Sequence, residues 1–174
     1  QWDMRAIGAT SEGSYAVNRG NRGVRVGFID TGVDANHPDI KPNFDVTLSR
    51  NFTTDMPDID GDCEYEGCVD PATVDDNGHG THVASTIGSP INGVGIAGVA
   101  PDVTLVNLRA GQDSGYFFIQ PTVDALVYAA DNGIDVVNMS YYIDPWWMNC
   151  LDNPADSPEA QAEQRMILVA SQRA

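Results

Sequence analysis

A chain of 174 residues with 42% apolar content is long enough for one domain with a real core; its nine basic against 25 acidic residues give a formal net charge of −16. Such a charge repels a phosphate backbone and excludes nucleic acid as a partner, and no window approaches the roughly 18 apolar residues of a membrane span. The opening residues Gln1-Trp2-Asp3-Met4-Arg5 show no basic segment followed by an apolar one, so any signal peptide is expected to be removed or never to have belonged to this sequence. An acidic surface favours solubility, and clustered carboxylates invite cations.

In chain order, Val24-Arg25-Val26-Gly27-Phe28-Ile29 reads as a buried strand running into a tight turn at Asp30-Thr31-Gly32. Residues 55–76 hold nine acidic residues, two prolines and no base, and are expected to form a long loop or insertion. Cys63 and Cys68 within it could close a short disulfide, with zinc binding as the other reading, and Cys150 is left over from an odd count. Thr81 to Ile87 is helix-compatible and is stopped by Gly88-Ser89-Pro90. Val103 to Leu108 is a second strand. A helix opens at Gln120-Pro121-Thr122, carries Leu126, Val127 and Ala130 at helical spacing, and ends at Asn132-Gly133. Ile134 to Met139 is a third strand, so that strand, helix and strand predict a parallel βαβ unit. Ser157-Pro158-Glu159 starts a last helix, which has no stop signal before Ala174. The pattern is α/β, a mostly parallel sheet covered by helices on both faces.

Two segments carry chemistry. Asp30 sits just past the C-terminal end of a strand, the edge where parallel sheets collect catalytic groups. His79 lies between Gly78 and Gly80 at a helix start, where the dipole helps keep an imidazole neutral and basic. A buried carboxylate on Nδ1 would fix its tautomer and stabilise the cation formed when it takes a proton. Two alternatives use the same residues: Asp30-Thr31-Gly32 is also the signature of aspartic peptidases, and His79 and His82 with Asp30 could hold a metal.

These segments resemble the subtilisin family. Asp30-Thr31-Gly32 looks like its aspartate motif, and His79-Gly80-Thr81-His82-Val83-Ala84 looks like its histidine motif, in the family order Asp, His, Ser. Asn36-His37-Pro38-Asp39-Ile40, Gly95-Ile96-Ala97-Gly98-Val99-Ala100-Pro101 and Asp135-Val136-Val137-Asn138-Met139-Ser140 match further family segments, from about residue 5 to the end. The resemblance implies a three-layer fold and a secreted bacterial (actinobacterial-type) serine endopeptidase with Asp30 and His79 as catalytic residues. It implies an extended polypeptide substrate paired between Asp113-Ser114-Gly115 and Ser140-Tyr141-Tyr142. Tyr141 and Tyr142 depart from the family's small residues there and, with Trp146 and Trp147, would crowd the pocket or pack locally. It also implies a structural Ca²⁺ site using Asp39 and Asn92 in the Pro90–Ile96 loop, without the N-terminal residue that completes it in the family.

No Gly-Thr-Ser-Met-Ala nucleophile motif and no oxyanion-hole Gly-Asn pair occurs in the sequence. Residues 167–171 superficially resemble the strand leading to that asparagine, but the start at Ser157-Pro158 assigns them to a helix. The chain is therefore expected to be an N-terminal, C-terminally incomplete part of a peptidase domain, inactive alone. Its expected partners are a substrate and a propeptide or the missing C-terminal part; the alternative is a non-catalytic fragment that only binds.

Overall fold

The computed structural model describes residues 1–143 and 157–173; Trp146, Trp147 and Cys150 lie outside them. The elements run α1 (Trp2–Ala6), α2 (Ser14–Val17), β1 (Arg25–Ile29), β2 (Arg50–Asn51), α3 (Pro57–Asp60), a 3₁₀ turn at Glu66–Cys68, α4 (His79–Gly88), β3 (Thr104–Arg109), α5 (Ile119–Asp131), β4 (Val136–Met139) and α6 (Pro158–Arg173). The four strands form one parallel sheet in the order β2-β3-β1-β4.

Side-chain alternation in β1 and β3 splits the core in two. Val26, Phe28 and Leu105 pack with Val33, Ile40, Ala84 and Val103 on the face covered by α4. Ile29, Val106 and Leu108 pack with Ala125, Leu126 and Ala129 of α5 and with Ala170 of α6 on the other. Both strands are buried on both faces, as central parallel strands must be. Each fully buried Phe, Ile or Leu contributes about 1.5–3 kcal/mol of transfer free energy, and Phe28, Ile29, Leu105 and Leu108 are all completely inaccessible.

The expected parallel βαβ unit is present in β3, α5 and β4. Strands β3 and β4 are parallel and joined by α5, but they are not neighbours: β1 lies between them, with Val26 opposite Leu105 on one side and Val136 on the other. The adjacent pair β1 and β3 is bridged instead by α4. The helices that follow β1 and β3 thus lie on opposite faces of the sheet, which opens a crevice at the C-terminal ends of these two strands. Strand β4 is one edge of the sheet among the described residues, and its Val136 and Met139 are about half exposed.

Helix α6 begins as its residues dictate. The Ser157 hydroxyl accepts the Ala160 N–H at 3.2 Å, with Pro158 and Glu159 in the first turn. Residues 167–171 are helical, as that start requires. The acidic segment 55–76 contains only α3 and the 3₁₀ turn, and a Cys63–Cys68 disulfide closes its tip. Among the described residues no helix is long and apolar enough to cross a membrane.

Candidate active site

Asp30 leaves the end of β1 into the crevice, and its backbone carbonyl accepts the N–H groups of Ala110 and Gly111, both at 3.1 Å, just beyond β3. His79 is the first residue of α4. Gly78 before it has φ 91°, a left-handed value that side chains resist. A Cβ on Gly80 would come within 2.2 Å of the Gly32 carbonyl oxygen, so only glycine lets the helix start lie against the Asp30 turn.

The two segments meet in one hydrogen bond: His79 Nδ1 lies 2.7 Å from Asp30 Oδ1. The Asp30 side chain is fully inaccessible whereas that of His79 is 47% exposed, so the carboxylate is the buried anchor and the imidazole faces outward. Asp30 Oδ1 also accepts the Thr31 N–H at 2.8 Å, and Oδ2 is buried without a hydrogen-bond partner among the described residues. Burial pushes the Asp30 carboxyl above its ordinary pKa, against the hydrogen bonds from His79 and Thr31 and the charge of His79, and with the added repulsion of Asp75.

Beside the pair lies a depression of about 180 Å³ lined by Thr31, Asn77, His79, Gly115, Phe117, Ser140, Tyr141 and Tyr142. Tyr141 turns inward and stacks on Phe117, with ring centroids 3.9 Å apart and planes 8° apart, and burial raises the pKa of its hydroxyl. Tyr142 stays exposed. Local packing and pocket lining are therefore both true of Tyr141.

Asp113 and Ser114 are not among the residues that line this depression. The Asp113 carboxylate is 2.9 Å from Arg109, its N–H donates to Asp55, and the Ser114 N–H donates to Asp60 Oδ1 at 2.9 Å. The Gly115 N–H donates to the Gln112 carbonyl. Asn77 joins this segment to the histidine loop by donating Nδ2–H to the Asp113 carbonyl at 2.8 Å. The segment 113–115 is thus held from beneath by the acidic segment 55–76. Arg109, missed in the sequence, holds the arrangement together: it is fully buried and pairs with Asp55, Asp70 and Asp113 at 3.1, 2.6 and 2.9 Å. The signal was an arginine ending an apolar strand, where a charge needs partners.

Asp39 and Asn92 are not among the residues that line the depression. Asp39 is buried, its Oδ2 accepts the Ile96 N–H at 2.8 Å, and its Oδ1 has no hydrogen-bond partner among the described residues. Asn92 Oδ1 accepts the Val94 N–H. At the end of this loop the Gln1 side chain donates to the Ala97 carbonyl and accepts the Ala97 N–H. His82, one turn along α4, is exposed, and the carboxylate groups that approach metal-ligand spacing among the described residues contain neither His79 nor His82.

The model of the peptidase S8 or subtilase family matches residues 21–171, and the chain belongs to that family of serine proteases. It is 34% identical over 157 residues to an intracellular serine protease of Paenibacillus polymyxa, covering 86% of this chain and 41% of the relative. It is 37% identical over 133 residues to the minor extracellular protease Vpr of Bacillus subtilis, covering 76% of this chain and 15% of the relative. The crystal structure of the nisin leader peptidase NisP from Lactococcus lactis superposes with a TM-score of 0.73 at 26% identity, over 99% of this chain and 47% of that one. The chain spans about two fifths of the length of the first curated relatives that it matches, 41% and 37%.

Proposed function

We propose that the full-length protein is a serine endopeptidase in which this chain supplies the aspartate and the histidine of an Asp-His-Ser triad. The observation that carries the reading is the 2.7 Å contact between a fully buried Asp30 and a half-exposed His79. Held by Asp30, the imidazole carries its proton on Nδ1, which leaves Nε2 to take the proton of a serine hydroxyl as it attacks a peptide carbonyl. The same proton then goes to the leaving amine. The serine would come from a part of the protein outside these residues, which cover 41% of the length of the Paenibacillus relative.

The substrate is a polypeptide in extended form, lying between residues 113–115 and 140–142, with one of its side chains in the depression beside His79. The Cys63–Cys68 disulfide supports an oxidising compartment and hence secretion. A serine-directed phosphonate is expected to label the full-length protein stoichiometrically, and pepstatin-type inhibitors are expected to leave hydrolysis unchanged. Inhibition by pepstatin with no phosphonate labelling would move the chemistry to another mechanism.

The same reading includes structural calcium. The free, buried Asp39 Oδ1 beside the 90–96 loop suits a hard cation with oxygen ligands, and Asp39, Asn92 and Gln1 would help to hold it. A bound ion would tie the N-terminus to the loop and leave the reaction itself untouched. Binding at 100 times Kd is worth about 2.7 kcal/mol, so chelation should lower the Tm of the full-length protein. Asp39→Asn should remove that chelator-sensitive difference; a Tm indifferent to chelator in the wild type would remove the calcium.

A further inference from the structure

Asp75 belongs to neither chemical motif, yet its carboxylate is the place where the two motifs are joined. Oδ1 accepts the Thr31 hydroxyl and the Gly78 N–H, each at 2.9 Å. Oδ2 accepts the Thr81 N–H at 2.8 Å and the Thr81 hydroxyl at 2.6 Å. Thr31 follows Asp30, and Gly78 and Thr81 bracket His79. Both hydroxyls relay the connection: Thr31 Oγ1 accepts the Gly80 N–H at 3.0 Å and Thr81 Oγ1 accepts the Asp34 N–H at 2.9 Å.

The start of α4 explains why an anion is needed there. The first N–H groups of a helix have no partner within it, and Gly78 has no side chain with which to cap them. Asp75 takes Gly78 and Thr81, Thr31 takes Gly80, and Asn77 Oδ1 takes the His79 N–H at 3.3 Å. A carboxylate at this end also suits the helix dipole. A helix cap alone would stop there; Asp75 in addition holds the Thr31 hydroxyl, on the strand-end turn that carries the other member of the pair.

We propose that Asp75 is a positioning residue for the Asp30–His79 pair. It touches neither substrate nor reacting atoms, but clamps the turn after β1 to the first turn of α4. In doing so it fixes the 2.7 Å contact, and it adds a negative charge that favours the imidazolium formed in the transition state. The inference rests on the reading of the pair as catalytic. A displacement of about 1 Å in such a pair costs on the order of 10²-fold in rate.

The test uses the full-length protein and the variants Asp75→Asn, Asp75→Ala and Asp75→Glu. Asp75→Asn keeps the size of the side chain but loses the charge and one oxygen acceptor. Its kcat should fall about 10²-fold with KM within about twofold of wild type, and the acid limb of the kcat/KM profile should move to lower pH. Asp75→Ala should lose more rate with the same displacement of the limb. Asp75→Glu keeps the charge, so its limb should stay in place while its rate falls. A residue that only stabilises the fold would lower Tm and the fraction of protein labelled by phosphonate and leave the limb unmoved, and that result would overturn the proposal. If the wild type neither hydrolyses peptides nor takes the label, the functional reading fails by itself. The clamp is then read from the far-downfield proton resonance of the Nδ1–H between His79 and Asp30. Loss of that resonance in folded Asp75→Ala protein supports the clamp, and its retention overturns it.

Discussion

Asp30→Asn in the full-length protein is expected to lower kcat by about 10⁴-fold while KM changes little. The reason lies in the geometry of one bond. Asp30 Oδ1 accepts from His79 Nδ1 and from the Thr31 N–H at once, and an asparagine can offer either its oxygen or its NH₂ to the imidazole. If the NH₂ faces the ring, the proton moves to Nε2 and the base is presented in the wrong tautomer. The fold should survive, because a neutral amide is easier to bury than the carboxylate, whose charged form burial already disfavours. His79→Ala should lose more, on the order of 10⁶-fold, and the double variant should lose little more than His79→Ala alone, because the pair acts as a unit. Steady-state kinetics with a calibrated phosphonate titration separates rate from active fraction. A loss below tenfold for Asp30→Asn would remove the aspartate from the mechanism.

The second large effect is on stability. Arg109→Met should destabilise the protein by about 3–5 kcal/mol at neutral pH, the usual loss when one partner of a buried ionic cluster is deleted. Arg109 is completely inaccessible, and its removal strands Asp55, Asp70 and Asp113 in the space between β3 and the acidic segment. Urea unfolding of wild type and variant measures the difference, and a change below about 1 kcal/mol would mean that the carboxylates find water instead. The wild-type cluster has a pH signature of its own. Burial, with repulsion from Asp55, lifts the Asp113 pKa to about 6 despite Arg109, and burial also raises those of Asp55 and Asp76. These carboxyls hold protons more tightly in the native state than in the unfolded chain. Their contribution to stability is therefore complete below about pH 4 and declines as pH rises through 6. Asp113→Asn should flatten that decline.

The central elements were legible because their residues obey local rules. The β-rich apolar run ending at Asp30, the glycines around His79, and the Ser157-Pro158 helix start each give one outcome through a short-range cause. The order of the strands was not legible, since the pattern of β3, α5 and β4 does not say that β1 lies between the two strands. Nothing in a strand's own residues states who its neighbours are. Asp75 and Arg109 were missed for a related reason. Asp75 looks like one more acid in an acidic run, and Arg109 like the polar end of a strand; their partners lie 44 residues away at Thr31 and 54 residues away at Asp55. The Gln1 contact with Ala97 spans 96 residues and was equally hidden.

The central place of β1 has a consequence for how the chain is made. Val26 pairs with Leu105 and with Val136, 79 and 110 residues later. At about 5–20 residues per second of synthesis, β1 waits roughly 4–16 s for β3 and longer for β4. During that wait Phe28 and Ile29 have no sheet to enter, and closing loops of this length is itself slow. The late arrival of both neighbours of β1 should therefore show in the folding rate more than in the final stability.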